Sequence, residues 1–428
     1  MLVMFRVRNY MSFKEEAILD MRATSYVQHP SHIIPVEGTK GLLKTTAIYG
    51  PNASGKSNFI SAMHFFTNYI ISQFVSVKGY GLSAPDVAKL QSLSKPQPFM
   101  LSNETDESSE FEIVFIRNGH QIQYGFECTD EEVLNEWLYI DDKQVFERDT
   151  EVTLGKGYQK MLGMHTKVPK ERLYVAILDF ILDDIDAKFA VLGGLIFFVF
   201  RDFNIFTKVF KDATTKIGGI SDGYVDSSKL VENEKLRSQV EKHLRIADVG
   251  IKGLCIDTIS EIDEKTGDKR DKEVILTVHD VYDSGGKRIG EKRFPLSKES
   301  SGTLSFLAYI PSIVEVIEKG GVFVCDEMSA RLHPLLIKLI VDMFTSSENT
   351  KAQLIFTTHD VSLLNNSQFR RDEVVFIDKN ERGESKLFSL SDLKIREDAS
   401  FSKDYLQGKY GAIPIFDYKE LVGGEGDA

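Results

Sequence analysis

Thr46-Ala47-Ile48-Tyr49-Gly50-Pro51-Asn52-Ala53-Ser54-Gly55-Lys56-Ser57-Asn58-Phe59-Ile60 is the stretch from which the rest of the chain is read. A short apolar run ends abruptly in glycine, a Gly-x4-Gly-Lys-Ser pattern follows, and an apolar-periodic helix continues through Phe59, Ile60, Met63 and Phe66. Strand, turn and helix in that order are the setting in which this pattern is a phosphate loop. Its glycines let successive backbone N–H groups point at phosphates at a helix N-terminus. Gly50, Pro51, Asn52, Ala53, Ser54, Gly55, Lys56, Ser57 and Asn58 are therefore the expected nucleotide-binding residues. Lys56 would reach the β- and γ-oxygens and Ser57 would offer its hydroxyl to Mg²⁺, so ATP and Mg²⁺ are the expected cofactors.

The sequence beyond the loop supplies matching chemistry. Val322-Phe323-Val324-Cys325-Asp326-Glu327 is an apolar strand delivering two carboxylates at its C-terminal edge, where open α/β sheets bind ligands. Asp326 is the expected Mg²⁺ ligand, through its water shell, and Glu327 the expected base for the attacking water. Many strands end in solvated acids, and it is the phosphate loop that gives this pair its meaning. Ile355-Phe356-Thr357-Thr358-His359-Asp360 repeats the pattern one helix and one strand later, which places His359 at the same edge and adds it to Glu327 and Lys56 as a catalytic candidate. Pro295-Leu296-Ser297-Lys298-Glu299-Ser300-Ser301-Gly302-Thr303 precedes a helix. It reads as an N-cap, and a serine- and glycine-rich helix start is also an anion site, here suited to another molecule's phosphates.

Uniformly apolar strands alternating with helices (Val322 to Cys325, Gln353 to Thr357, Val374 to Ile377) predict a parallel sheet covered on both faces. The first residues read as strand, turn, strand: Leu2 to Val7, Asn9 to Phe13, Ala17 to Met21. Phe111 to Phe146 alternates as an antiparallel meander, and Ile251 to Phe294 as a second, with turns at Gly267 to Arg270 and Gly285-Gly286. Residues from Val168 to Leu244 read as helical, including a buried helix over Phe189 to Phe200 interrupted near Gly193 and Gly194. That run of about 12 residues is shorter than the roughly 20 needed to span a bilayer. No membrane partner is expected, and the start of the chain lacks the apolar core of a signal peptide.

With 428 residues the chain exceeds one core, and its 42% hydrophobic and 27% charged content excludes collagen-like or wholly disordered classes. A net charge of −12, from 52 Lys and Arg against 64 Asp and Glu, argues against a general DNA-binding surface. Nucleic acid is not indicated as a partner, although Lys269-Arg270-Lys272 and Lys287-Arg288-Lys292-Arg293 could touch phosphate locally. Cys128, Cys255 and Cys325 form no Cys-x-x-Cys pair, so neither a disulfide framework nor a zinc site is expected, and a reducing, cytoplasmic compartment fits.

Taken together, the phosphate loop, Ser300-Ser301-Gly302-Thr303, Asp326-Glu327 and Thr358-His359-Asp360 resemble an ABC-class ATPase head, and Asn9-Tyr10-Met11-Ser12-Phe13 resembles the N-terminal turn of the RecF and SMC branch. Leu332-His333-Pro334, Ala352 to Asp360, Arg370-Arg371-Asp372-Glu373 and Tyr405 to Pro414 are similar to the AAA-labelled ABC-like ATPases (types fifteen and twenty-one) of bacterial phage defence and abortive infection, the group with RloA and AbiL-like proteins. The resemblance covers both ends, about half the chain. It implies an α/β fold: a P-loop ABC-type ATPase head with an antiparallel β meander and an inserted helical subdomain. The implied organisation is an N-terminal ATPase lobe (1–167), the insertion (168–244), a C-terminal ATPase lobe (245–392) and a tail (393–428) placed as a partner or dimer contact.

It further implies a homodimer, or a higher even-numbered assembly, in which two protomers enclose two ATP molecules. Each ATP would be held by Lys56, Ser57, Asp326, Glu327 and His359 of one chain and closed by Ser300 and Gly302 of the other. This chain departs from the pattern: the signature reads Glu-Ser-Ser-Gly-Thr, Met328-Ser329-Ala330-Arg331 follows the catalytic acid, and Gln73 and Gln97 are both candidates for the Q-loop glutamine. Two functions are implied: an anti-phage ATPase controlling an effector on a separate chain, or a DNA-repair or chromosome-maintenance ATPase. The residues after His359 hold one strand and a tail without an acidic cluster, which places any toxic activity on a partner.

Overall fold

The structure, a computed structural model, describes residues 1–78, 95–103, 108–162, 167–182, 184–206, 228–247, 250–262, 269–330, 332–396 and 399–414. Strand β1 (Leu2–Arg8) turns through the Tyr10 to Phe13 bridge into antiparallel β2 (Ala17–Asp20), followed by the short pair β3 (Ile33–Ile34) and β4 (Leu42–Leu43) and then β5 (Thr45–Tyr49), which runs into the phosphate loop and the helix Lys56–Lys78. The alternating region forms β6 (Ser109–Arg117), β7 (His120–Cys128), β8 (Val133–Ile140), β9 (Lys143–Arg148) and β10 (Val152–Leu154), which join β1 and β2 in one antiparallel sheet of order β10-β9-β8-β7-β6-β1-β2.

The central sheet combines β11 (Phe203–Phe206), β15 (Gly321–Cys325), β16 (Ala352–Thr357), β17 (Val374–Lys379) and β18 (Ser385–Ser389) with β5, in the order β11-β15-β16-β5-β17-β18. All its pairings are parallel except β17 with β18. Its inner strands are buried along their length because successive side chains serve different cores. Ile48, Val322, Val324, Ile355, Val375 and Ile377 enter the core shared with the antiparallel sheet. Ala47, Tyr49, Phe323, Phe356 and Phe376 enter a second core, which the helices Ser301–Lys319 and Pro334–Thr345 help build. Buried polar residues, Thr45, Thr46, Gln353 and Thr357, interrupt this pattern. The buried Gln353 amide accepts from the Leu2 N–H at 2.5 Å and donates to the Leu2 and Leu43 carbonyls at 3.0 Å, so it links the two sheets with its hydrogen bonds satisfied.

The second meander is the separate sheet β12 (Gly253–Ile262), β13 (Lys269–Tyr282) and β14 (Arg288–Pro295). Lys269 and Arg270, expected in a turn, instead begin β13; residues 263–268 lie outside the described residues. Two corrections apply to the region read as helical. The glycines do not interrupt the helical run, which continues from Phe189 to Asp202 through two π-helical turns. Gly194 sits inside this run against the tip of Ile122, whose Cδ1 would lie 2.1 Å from a Cβ there. The region also contains a strand, β11, parallel to β15, ahead of the helices Ser228–Glu232 and Glu234–Ile246. A Cβ on Gly321, whose φ is 136°, would lie 2.6 Å from the Asp202 carbonyl oxygen, so glycine permits the approach.

The tail was expected to be a contact for a partner or second protomer, and its described part packs as a strap on the chain's own core. Phe401, Tyr405, Tyr410 and Ala412 are buried, Tyr405 stacks on Phe376 at 5.4 Å, and Ala412 N–H donates to Asp378 at 3.1 Å. The aromatic density is thus used internally. Residues 415–428 lie outside the described residues.

Candidate functional site

The phosphate loop is shaped by what surrounds it. Gly50 passes so close to β17 that a Cβ would lie 2.2 Å from the Ile377 carbonyl oxygen. Gly55, with φ 113°, would meet Ser385 Oγ at 2.4 Å and Ser12 Oγ at 2.8 Å if it carried one. The loop therefore lies as a bare backbone ribbon against the turn after β1 and the hairpin β17–β18. The helix behind it starts at Lys56, and its first turn presents backbone N–H groups without intrahelical partners. Lys56 Nζ donates to the Gly50 and Pro51 carbonyls, each at 2.8 Å, folding the ammonium back over the loop. Burial pushes its pKa down to about 8, against the opposing pull of Asp326 and Glu327.

The acids sit at the end of β15, and β16 holds them. Thr357 donates to Asp326 Oδ1 at 2.6 Å, and the same hydroxyl oxygen accepts from the Glu327 N–H at 2.6 Å. Glu327 has a left-handed backbone, φ 48°, unusual for a residue with a side chain. The turn directs it away from the strand line while Asp326 stays buried. His359 follows β16, its N–H donating to Ser329 Oγ at 3.4 Å.

Asn52, Ala53, Gly55, Lys56, Ser57, Asn58, Glu327 and His359 line one cavity of about 260 Å³, joined by Lys379 from the end of β17. The sequence-expected residues from three distant segments thus converge. Asp326 lies behind, coupled to Lys56 by charge. Ser300 and Gly302 do not line it. Ser300 caps the helix Ser301–Lys319, accepting from the Thr303 N–H at 3.1 Å. Neither glutamine lines it either: Gln73 is buried in the loop helix, accepting from the Leu173 N–H at 3.3 Å, and the Gln97 carbonyl accepts from the Met11 N–H at 2.6 Å.

The donor set fits a nucleotide with Mg²⁺: a cradle that tolerates no Cβ at Gly55, an ammonium, helix N–H groups, and the Ser57 hydroxyl with a carboxylate behind it. Ser54 Oγ is also buried in the loop with no hydrogen-bond partner among the described residues. Three further contributors were not among the expected site residues. Thr357 fixes both acids; Ser12 and Ser385, whose hydroxyls lie 2.8 Å apart, brace the loop, with Asn58 Nδ2 donating to Ser12 at 2.7 Å and Ser385 Oγ to the Ser54 carbonyl at 2.6 Å. The phosphate-loop strand β5 and the acid strand β15 flank β16, in a mixed α/β fold whose central, mostly parallel sheet packs against an antiparallel meander.

A family model described as "AAA domain, putative AbiEii toxin, Type IV TA system" matches residues 45–150 and 223–365, more than half of the chain. No curated protein matches. Among solved structures, the SMC head bound to the C-winged helix domain of ScpA is similar at 14% identity and a TM-score of 0.42, covering 95% of this chain and 99% of that one. The SMC head domain from Thermotoga maritima is similar at 13% identity and a TM-score of 0.41, covering 92% and 99%. Among the described residues, no helix is long and apolar enough to cross a membrane.

Proposed function

We propose that this chain, which belongs to the AAA-domain family of the putative AbiEii toxin and type IV TA system, binds ATP with Mg²⁺ and hydrolyses it, and that turnover controls an effector on a separate chain in bacterial defence against phage. The observation that carries the enzymatic reading is the single cavity that brings Lys56 and the loop together with Glu327 and His359. In this reading Lys56 exchanges its two loop carbonyls for phosphate oxygens. Glu327 accepts the proton of the attacking water, and Thr357 keeps the adjacent acid and amide in register. His359 contacts the γ-phosphate end. Ser57 and Asp326 would hold Mg²⁺, which when bound neutralises phosphate charge. Because Ser300 and Gly302 lie outside the cavity, at a helix start, they are assigned to a second protomer's nucleotide, in a homodimer.

In this reading the effector is a separate chain that responds to the nucleotide state of the site. Purifying the chain with the products of adjacent genes, with and without ATP, tests this. A partner that co-elutes in a nucleotide-dependent manner is expected. An ATP-hydrolysing chain that retains no protein partner and instead binds DNA would favour chromosome maintenance and overturn the defence reading.

A further inference from the structure

Lys379 enters the cavity from a strand that none of the motifs includes. It is the last residue of β17 and pairs in register with Ser385 across the hairpin. That hairpin is tied to the phosphate loop. Ser385 N–H donates to the Ser12 carbonyl at 2.7 Å, Ser385 Oγ donates to the Ser54 carbonyl at 2.6 Å, and the Ile377 carbonyl abuts Gly50. The position of Lys379 beside the loop is therefore fixed by the backbone, although its side chain is exposed. Its backbone N–H donates to Asp378 at 2.9 Å, and no ion pair among the described residues engages its ammonium.

The sheet order assigns it a side. Strand β5 lies between β16 and β17, with β15 beyond β16. Glu327 and His359 reach the loop from the β15 and β16 side, and Lys379 reaches it from the opposite side. A phosphate chain with its γ end at Glu327 and its other end toward β17 would meet Lys379. In a protein of net charge −12, a polyanion needs cations close at hand, because the summed field repels it.

We infer that Lys379 is a second phosphate-binding cation, contacting the α- and β-phosphates that ATP and ADP share; this rests on the nucleotide reading of the same cavity. Calorimetric titration of the parent, Lys379→Ala and Lys379→Arg proteins with ADP and with a non-hydrolysable ATP analogue, each with Mg²⁺, tests it. Lys379→Ala should weaken both nucleotides alike, by about tenfold, the scale of one charge-assisted hydrogen bond. It should also reduce the dependence of affinity on salt, and Lys379→Arg should restore most of the loss. Unchanged affinity in Lys379→Ala would overturn the inference, and so would a loss confined to the ATP analogue, which would move the lysine to the γ end. A parent protein that binds neither nucleotide would instead overturn the reading of the cavity itself, and this inference with it.

Discussion

The two edges of the central sheet both carry clustered charge, and they differ in how it is satisfied. At the edge where β5 and β17 begin, Arg370 is buried and pairs with Asp372 through Nε at 2.9 Å and Nη2 at 2.8 Å, while Nη1 donates to the Tyr26 and Gln28 carbonyls. Asp372 also accepts from Thr24, and Glu373 accepts from Thr45 at 2.6 Å, from the Arg370 N–H at 2.8 Å and bonds His32 at 2.8 Å. Charge there is closed on itself. At the opposite edge Lys56 rests on the carbonyls of its own loop, Glu327 turns out of its strand, and the group opens on a cavity. Residue type does not separate a structural cluster from a binding one. What separates them is whether the donors and acceptors are consumed internally.

The sharpest way to break this contrast is to attack the closed edge. Asp372→Ala leaves the Arg370 guanidinium buried and unpaired, and should cost about 3–5 kcal/mol of stability in urea unfolding. ATP affinity of the folded protein should stay at the parent value. If affinity fell in step with stability, the two edges would be coupled and the distinction would fail.

At the open edge, Glu327→Gln keeps the shape and removes the base. It should slow hydrolysis about a hundredfold while ATP still binds, so ATP-bound dimers accumulate. Turnover near the parent rate would pass the role of base to His359.

A smaller effect follows from Lys56. Burial lowers its pKa to about 8, and phosphate binding needs the ammonium, so the sign is fixed. ATP affinity should be level below pH 8 and fall above it, approaching about tenfold per pH unit. Lys56→Arg should remove that slope, whatever affinity it retains. A flat profile in the parent would mean that the lysine stays charged or does not meet phosphate.

Much of the open edge was legible because its chemistry is local: Gly50 to Ser57, Asp326-Glu327 and His359 each sit at a strand end that periodicity locates. Thr357, Ser12, Ser385 and Lys379 were not, because their roles depend on which strands lie side by side, and no local pattern gives the order β16-β5-β17. Arg370 to Glu373 was visible as a motif, and its burial was not, since the groups that satisfy it come from residues 24 to 45. Phe189 to Phe200 was legible as a helix, while Gly193 and Gly194 misled, because glycines inside a helical run look like a helix break. The tail was read as a partner or dimer contact, whereas Phe401, Tyr405 and Tyr410 are buried in the chain's own core.

The central claim is that the loop, the acids and His359 form one nucleotide site, and the most direct test is calorimetric titration of ATP and Mg²⁺ into the parent protein and Lys56→Ala. The parent should show saturable binding, and Lys56→Ala should show none while unfolding at the same denaturant concentration as the parent. Equal ATP affinity in the two proteins would contradict the assignment.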